Sequence, residues 1–446
     1  MNEGRKIAAV ALGCAKNRID TEEILGLLGR HGYLITDDPA LADAVIINTC
    51  AFIEEAQQES IEAILALVKQ RRDKVPLIIA AGCLAQHFGE RLLQEIPELN
   101  GVIGVHSYAE IIPFLESCFA GKRELLLLAP PDRYRDLGPR LLTTAAHSAY
   151  VKIAEGCGNR CRYCLIPSLR GPLRSRPTAE IISEVRDLIA GGTREINLIA
   201  QDSTAYGADR GFSDGLSLLL QQILQEIPSF FWIRILYAHP ARVTAKLISL
   251  IAREERICKY LDLPLQHINS TVLRRMGRRY TREEVVALVQ KLRRSIPGIV
   301  LRTTYLAGFP GESRAQFREL HAFLQEQPFE RVGVFAYSKQ PGTAAALLPD
   351  QVPSRVKQKR RRELLRLQQG IALEFNRRLI GQKFTVLVEG PAGAGEKLYR
   401  GRTSFQAPEV DGLLYFRSPR PLRPGSWAQV QVTAASPYDL YGTALK

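Results

Sequence analysis

The sequence predicts an α/β protein with an N-terminal domain built on a parallel sheet, a central partial (β/α) barrel and a small C-terminal β-barrel. Apolar runs of strand length alternate with helical segments in two separate series, which is typical of parallel sheets covered by helices. After Gly381 the pattern changes to short alternating strands divided by Gly and Pro turns. A chain of 446 residues has room for about three such domains.

The first series predicts an N-terminal domain over residues 1–120. Its strands are Ile7–Leu12, Ala44–Ile47, Leu77–Ala81 and Gly101–Val105, and its helices include Ile19–Leu28 and Glu54–Val68. Residues 121–147 lack this pattern and contain Pro130-Pro131 and Gly138-Pro139. We therefore expect a linker there.

The second series predicts a central domain over residues 148–378, with six strands that suit a partial or full barrel. The strands are Ala149–Ala154, Glu195–Ala200, Trp232–Ala238, Tyr260–Leu263, Val300–Ala307 and Arg331–Tyr337. The helices are Pro177–Ala190, Ser217–Ile227, Arg282–Ser295, Arg314–Gln325 and the basic stretch Val356–Arg378. Residues 379–446 are predicted to form a small barrel of the oligonucleotide-binding type.

Composition excludes several classes of protein. With 46% hydrophobic and 24% charged residues, the chain is neither disordered nor a collagen-like fibre nor a small disulfide scaffold. A net charge of +14 favours a polyanionic partner without requiring one. No apolar run approaches the length of a membrane helix, and Ile7–Leu12 is too short for a signal core, so we expect a cytoplasmic protein. Its eight cysteines are then thiols, ligands or catalysts, and Cys118 and Cys258, without partner motifs, are predicted to be structural.

Three cysteines form a C-x3-C-x2-C loop at Cys157, Cys161 and Cys164, directly after a predicted barrel strand. Catalytic groups lie at this C-terminal mouth of a barrel. Three thiolates on one loop can bind three irons of a [4Fe-4S] cluster and leave the fourth iron open for S-adenosylmethionine. The alternative is a zinc site, which normally needs four ligands, and no fourth Cys or His lies close by in the sequence.

A second group, Cys14, Cys50 and Cys83, has no local motif, but each member follows a predicted strand. Because the ends of parallel strands meet at one edge of a sheet, we expect the three thiols to converge. Gly13 and Gly82 precede two of them and permit tight turns. The alternative is three buried cysteines. The placement favours a second [4Fe-4S] cluster with three protein ligands.

These features resemble the radical S-adenosylmethionine methylthiotransferases over nearly the whole chain, and the closing β segment looks like a TRAM domain. The motifs that carry the resemblance are Gly13-Cys-Ala-Lys-Asn17, Asn48-Thr-Cys50, Gly82-Cys83, the Glu155–Cys164 loop, Arg170-Gly171, Arg174-Ser-Arg176 and Gly308-Phe-Pro-Gly-Glu312.

Within that family, the MiaB type modifies an adenosine of transfer RNA, and the RimO type modifies an aspartate of small-subunit ribosomal protein S-twelve. The transfer-RNA branch usually reads Gly-Cys-Gln-Met-Asn at the first cysteine, whereas Gly13-Cys-Ala-Lys-Asn17 is similar to the RimO type. Further segments similar to RimO are Asn48–Glu54, Ile199–Asp202, Thr204–Gly207, Leu261–His267 and Val332–Ser338.

The resemblance implies a radical mechanism. S-adenosylmethionine is cleaved reductively at the Cys157/Cys161/Cys164 cluster, and the 5′-deoxyadenosyl radical removes a hydrogen from the β-carbon of the aspartate. The second cluster presents a methylated sulfur to that carbon, and another S-adenosylmethionine supplies the methyl group. Such an unactivated C–H bond is beyond acid–base chemistry and needs a cofactor-derived radical.

The resemblance also implies contacts with S-adenosylmethionine. Tyr163 is expected to pack on its adenosyl group and Glu195 to receive its methionyl ammonium. Gly308 and Gly311 are expected to pass close to it. The alternatives are a core aromatic residue for Tyr163 and a plain turn for the two glycines.

The implied partners are ribosomal protein S-twelve, free or in the assembled small subunit, and an electron donor such as flavodoxin or ferredoxin. Arg274-Arg275, Arg278-Arg279 and Lys359–Arg362 are candidates for ribosomal RNA contact, although such runs are more often solvated helix faces. The closing barrel is expected to dock the partner and to be dispensable for the other two cores. Two alternatives stay open: a MiaB-type transfer-RNA enzyme, and a non-enzymatic iron–sulfur RNA-binding protein.

Overall fold

The computed structural model describes residues 4–69, 76–393 and 397–445. Its first sheet has the strands β1 (Lys6–Ala11), β2 (Leu34–Ile35), β3 (Ala44–Thr49), β4 (Leu77–Ala81), β5 (Gly101–Ile103) and β6 (Glu124–Leu126). The helices beside it are α1 (Ala15–Arg30), α2 (Glu54–Lys69), α3 (Gly82–Glu95) and α4 (Ile111–Phe119). The sheet is parallel throughout, in the order β2-β1-β3-β4-β5-β6. Every residue of β3 is buried, as expected for a strand with helices on both faces.

The first sheet extends into the segment predicted to be a linker. Strand β6 pairs with β5 beyond residue 120, and a strand of three residues has no readable periodicity. Further along, Arg140 forms ion pairs with Glu22 of α1 and with Glu184 of the central domain. The segment is therefore an ordered connection that contacts both domains.

The central domain contains a second parallel sheet, with the strands β7 (Ser148–Lys152), β10 (Glu195–Ile199), β11 (Trp232–Ile235), β12 (Ile257–Asp262), β13 (Val300–Ala307) and β14 (Arg331–Ala336). A short antiparallel pair, β8 (Ala154–Glu155) and β9 (Arg174–Ser175), brackets the cysteine loop. The helices are α5 (Ile166–Arg170), α6 (Thr178–Ala190), α7 (Gly215–Glu226), α8 (Ala245–Arg253), α9 (Ser270–Arg275), α10 (Arg282–Ser295), α11 (Arg314–Glu326) and α12 (Ser354–Arg378). The order β14-β13-β12-β11-β10-β7 leaves the barrel open, which confirms the predicted partial barrel.

The C-terminal domain is the predicted small β-barrel. Its strands are β15 (Lys383–Pro391), β16 (Leu398–Thr403), β17 (Leu414–Arg417), β18 (Trp427–Ala435) and β19 (Leu440–Ala444), and they close in the order β15-β16-β17-β19-β18. In the described ranges, no helix combines the length and apolarity that crossing a membrane requires.

The small barrel shares a hydrophobic core with the central sheet. Alternate side chains of that sheet face the helices, and others, such as Tyr150, Trp232 and Tyr260, pack with apolar residues of the barrel. The rings of Trp232 and Trp427 meet with centroids 4.6 Å apart. The barrel thus covers one face of the central domain.

Candidate active site

Three cysteines of the N-terminal domain lie at the ends of neighbouring parallel strands. Cys14 follows β1 and precedes α1, Cys50 follows β3, and Cys83 lies in the first turn of α3 after β4. A Cβ atom added to Gly13 would stand 2.9 Å from the Cys50 sulfur. The positive φ of +89° at Gly13 also requires glycine there. The structure therefore brings the Cys14 turn directly against Cys50.

Asn17 ties these strand ends together from α1. Its amide nitrogen donates to the carbonyl oxygens of Leu12 and Thr49, each at 3.0 Å, just before Cys14 and Cys50. Its amide oxygen lies 3.8 Å from the Cys83 sulfur. A single buried side chain thus contacts the chain beside all three cysteines.

Burial disfavours the thiolate form of Cys50 and Cys83 in the protein without a metal. Burial, followed by the charges of neighbouring Cys14 and Cys83, raises the pKa of Cys50 to about 12. Burial also raises the pKa of Cys83, against the lowering effect of the Arg170 guanidinium. Metal coordination deprotonates such thiols and so removes the cost of their ionisation. The donor set fits an iron–sulfur cluster.

The second cysteine group is held on a loop fixed by backbone hydrogen bonds. The Cys157 N–H donates to the Gly171 carbonyl at 3.1 Å, and Arg162 N–H donates to the Met276 carbonyl at 2.9 Å. All three sulfur-bearing residues, Cys157, Cys161 and Cys164, are partly exposed. Hydrogen bonds therefore tie the loop backbone to its neighbours, and its cysteines are only partly covered.

Backbone N–H groups already point at two sulfurs of this loop. The Asn159 N–H donates to the Cys157 sulfur, and the Ile166 N–H donates to the Cys164 sulfur, each at 3.4 Å. Burial raises the pKa of Cys164 to about 12. Hydrogen bonds to the sulfurs are among the features that tune protein-bound clusters, so this donor set also fits such a group.

The spacing of both groups differs from that of a single-ion site. Among the described residues, no three His, Cys, Asp or Glu side chains are arranged to hold one metal ion. A cubane cluster takes one thiolate on each of three irons, which spreads its ligands further apart.

Arg170 joins the two cysteine groups. Its Nε donates to the Cys83 sulfur at 3.3 Å. Nη1 donates to both carboxylate oxygens of Glu155 at 3.1 Å, and Nη2 donates to Asn17 at 2.8 Å and Asp20 at 2.7 Å. Every N–H of this buried guanidinium is therefore used. The side chain fixes the end of the cysteine loop against the N-terminal domain.

Replacing Arg170 with Met should destabilise the protein, because Asp20 and Glu155 would lose a buried counter-charge. Removing one partner of a buried ion pair costs about 3–5 kcal/mol, so the thermal unfolding midpoint should fall clearly. The matched control is Arg186→Met, whose pair with Glu226 is half exposed on both sides and contributes about 1 kcal/mol or less. Equal midpoints for the two variants would contradict this role.

Three of the four predicted cofactor contacts lie near the cysteine loop. Tyr163 meets Phe309 edge to face, with ring centroids 6.4 Å apart. Phe309 belongs to the turn of Gly308 and Gly311, which have φ values of +77° and +74°. Glu312 fixes this turn by accepting the N–H groups of Gly308 and Phe309 at 2.7 and 3.3 Å. The structure thus brings Tyr163 and the glycine turn together.

Glu195 is not brought to this site, so its expected role as the ammonium ligand is corrected. It is the first residue of β10, whereas the cysteine loop lies beyond the other end of the parallel strands. Its carboxylate is fully buried and accepts from Arg234 at 2.8 Å and from Arg402 at 2.6 Å. Both oxygens are engaged with guanidinium groups, one from each of two domains.

Sequence reasoning missed the roles of Asn17 and Arg170. Both stand inside motifs that carry the family resemblance, which is the signal that pointed to them, but no periodicity or spacing indicates their contacts. Cys118 and Cys258 are buried, and the Cys118 thiol donates to the Asn100 carbonyl at 3.5 Å.

Family models define the class of protein, and a solved structure shares its fold. The model of the Uncharacterized protein family UPF0004 matches residues 6–104, the Radical SAM superfamily model matches 151–324, and the TRAM domain model matches 380–445. The structure of the radical S-adenosylmethionine methyltransferase TsrM from Kitasatospora setae aligns with a TM-score of 0.58 at 14% identity, covering 89% of this chain and 78% of that one. At that identity the likeness concerns the fold alone. The open parallel sheet with its three-cysteine loop is a radical S-adenosylmethionine domain.

Two relatives specify the family. The ribosomal protein uS12 methylthiotransferase RimO of Desulforamulus reducens is 45% identical over 443 residues, 98% of both chains. The protein of the same name from Geobacter sulfurreducens is 44% identical over 443 residues, 99% of both chains. This chain belongs to the RimO family of radical S-adenosylmethionine methylthiotransferases, enzymes that transfer a sulfur-containing group.

Proposed function

We propose that this chain places a methylthio group on the β-carbon of an aspartate in ribosomal protein uS12, the S-twelve protein of the sequence prediction. The observation that carries the proposal is the arrangement of two three-cysteine groups on two domains joined by Arg170. One group belongs to the radical domain. The other belongs to the N-terminal domain and would hold the cluster that presents the sulfur. Near-complete alignment with RimO relatives supports the choice of substrate.

We propose two [4Fe-4S] clusters, one held by Cys157, Cys161 and Cys164 and the other by Cys14, Cys50 and Cys83. When bound, they supply one-electron cleavage of S-adenosylmethionine and a sulfur for transfer.

The chain itself positions these groups. Asn159 and Ile166 direct backbone N–H groups at the loop sulfurs, and Asn17 and Arg170 order the N-terminal group. Cys50 and Cys83 are buried, whereas Cys14 and the three loop cysteines retain exposed surface through which substrate can approach.

For S-adenosylmethionine, we propose contacts at Tyr163, Gly308 and Gly311. The partly exposed ring of Tyr163 is backed by the fully buried Phe309 and offers an aromatic surface to an adenine ring. A side chain at Gly308 would collide with Lys357, since an added Cβ stands 2.2 Å from its Cγ. Glycine at this position therefore lets the turn pack closely against α12, which fixes its place beside the cysteine loop.

The proposed setting is the cytoplasm, where uS12 is met free or within the small subunit, with a flavodoxin or ferredoxin as electron donor. Ribosomal RNA contact is proposed only for the exposed basic residues Arg274, Arg279, Lys359 and Arg362. Arg360 belongs to the protein interior, since it pairs with Glu312 at 2.7 Å.

Co-expression followed by mass spectrometry tests the substrate. We expect uS12 to exchange one hydrogen for a methylthio group, and transfer RNA adenosine to stay unchanged. The matched control is Cys161→Ala, which should leave both unmodified. Modification of transfer RNA alone would establish the MiaB-type alternative. Absence of 5′-deoxyadenosine from the reduced, cluster-loaded protein would favour the non-enzymatic alternative.

A further inference from the structure

Lys16 reaches from the N-terminal domain to the mouth of the central barrel. It stands two residues after Cys14, in the first turn of α1, and is only 8% exposed. Its Nζ lies 3.3 Å from the centroid of the Tyr237 ring. Tyr237 follows β11 at the C-terminal edge of the central sheet, the edge that carries the cysteine loop. The ammonium therefore lies between the two cysteine-bearing domains.

The ammonium of Lys16 has no acidic partner among the described residues. Its buried cationic neighbours differ, since Lys152 pairs with Asp20 at 2.8 Å and Arg170 pairs with Asp20 at 2.7 Å. Buried charges are normally paired, because burial without a counter-charge is costly. An aromatic face compensates only part of that cost. The Tyr237 side chain is the partner of Lys16, through its ring and a side-chain hydrogen bond, so no described carboxylate balances the charge of the ammonium.

The backbone beneath Lys16 is strained. Tyr237 has a φ of +61°, in the left-handed region that side chains other than Gly rarely adopt. Its N–H donates to Asp262 at 3.1 Å, and its carbonyl accepts the Ser203 N–H at 3.0 Å. These bonds hold the ring under the ammonium. Backbone strain that is maintained in this way concentrates at functional sites.

We propose that Lys16 binds the carboxylate of the target aspartate and thereby selects an acidic side chain as substrate. The inference rests on the proposed function. The carboxylate carbon is bonded directly to the β-carbon, so a cation that holds the carboxylate also fixes the reacting carbon. Lys16 places this anchor beside Cys14 and above the barrel mouth.

Arg170, the other cation near this place, already has protein partners for its guanidinium. Arg170 uses all its N–H groups on protein partners, which leaves it no donor for a substrate. An ammonium at this position suits a substrate side chain that carries a carboxylate.

Binding of two forms of uS12 tests the proposal. One form keeps the target aspartate, and the other carries asparagine there, which matches it in shape but lacks its charge. Affinities are measured with cluster-loaded protein in the absence of reductant, so no turnover is needed. The wild type should bind the aspartate form about 10- to 100-fold more tightly, the range of a charge-assisted hydrogen bond.

In Lys16→Met that preference should vanish, while iron content and cleavage of S-adenosylmethionine without substrate stay at the wild-type level. Lys16→Gln, which keeps a polar group but no charge, should lose the preference as Lys16→Met does. Lys16→Arg, which keeps the charge, should retain the preference. The matched control is Lys246→Met on the exposed start of α8, which should change nothing.

A wild-type preference that persists in Lys16→Met or Lys16→Gln would overturn the proposal, even if uS12 is modified. Loss of the preference in Lys246→Met as well would likewise overturn it. So would loss of the preference in Lys16→Arg, which keeps the charge. Failure of the wild type to modify uS12 at all would instead reject the proposed function. If Lys16→Met loses iron, the binding preference of Lys16→Gln with intact iron is used in its place.

Discussion

Replacing Cys83 with Ala should abolish methylthio transfer and preserve cleavage of S-adenosylmethionine. Cys83 belongs to the N-terminal group, whereas we propose that cleavage takes place at the three cysteines of the barrel loop. The anaerobically reconstituted wild type should hold about eight irons, as two clusters of four, and the variant should hold about half. Iron analysis, release of 5′-deoxyadenosine and the mass of uS12 measure the three effects.

The matched control for this prediction is Cys118→Ala. Cys118 is another buried cysteine of the same domain. Its thiol donates to the carbonyl of Asn100, the residue before β5, and does not face the site. It should keep full iron and transfer activity. The complementary variant Cys161→Ala should lose cleavage and transfer together. A folded Cys83→Ala protein that also fails to cleave S-adenosylmethionine would show that the two groups do not divide the work.

Removing the small barrel should unfold or aggregate the central domain. The sequence predicts a docking barrel that the other two cores do not need, so truncation after Arg378 would leave cofactor cleavage intact. The structure changes that expectation, because the barrel covers Tyr150, Trp232 and Tyr260 and supplies Arg402 to the fully buried Glu195. Truncation would expose an apolar face and strip Glu195 of one counter-charge.

A single substitution isolates the charge from the apolar contact. Arg402→Met should cost about 3–5 kcal/mol, because Glu195 would stay buried with Arg234 as its remaining cation. The matched control is Arg400→Met, an exposed arginine of the same strand, with an expected change of about 0.5 kcal/mol or less. Thermal unfolding of both variants measures the difference. Equal midpoints, or a soluble truncated protein with full iron, would contradict the prediction.

The same ion pair predicts a dependence on pH. Burial raises the pKa of Glu195, but Arg402 and Arg234 outweigh it and bring the pKa from 4.5 to about 2. A carboxyl group with a lowered folded-state pKa stabilises the protein above its unfolded value, and this contribution disappears as pH falls from about 4.5 to 2. The wild type should therefore lose more stability over this interval than Arg402→Met.

Much of the fold and the cysteine sites could be predicted from local pattern. Alternating apolar runs gave both parallel sheets, and each of Cys14, Cys50 and Cys83 follows one of those runs. Because the carboxyl ends of parallel strands lie at one edge of the sheet, the position of these residues after the strands was enough to group them. Strand β6 was not predicted, since three residues are too few to show the alternation of a strand. Helix α8, with nine residues, is absent from the sequence prediction.

Contacts across domains were beyond the sequence. Arg170 and Cys83 are 87 residues apart, and Arg402 and Glu195 are 207 apart, so no local spacing relates them. Glu195 shows the limit most clearly: the sequence placed it on the correct strand, but only the packed sheet decided that it faces the small barrel at the far edge. Periodicity reports which face of an element is buried, whereas the partner that buries it is chosen when separate elements pack together.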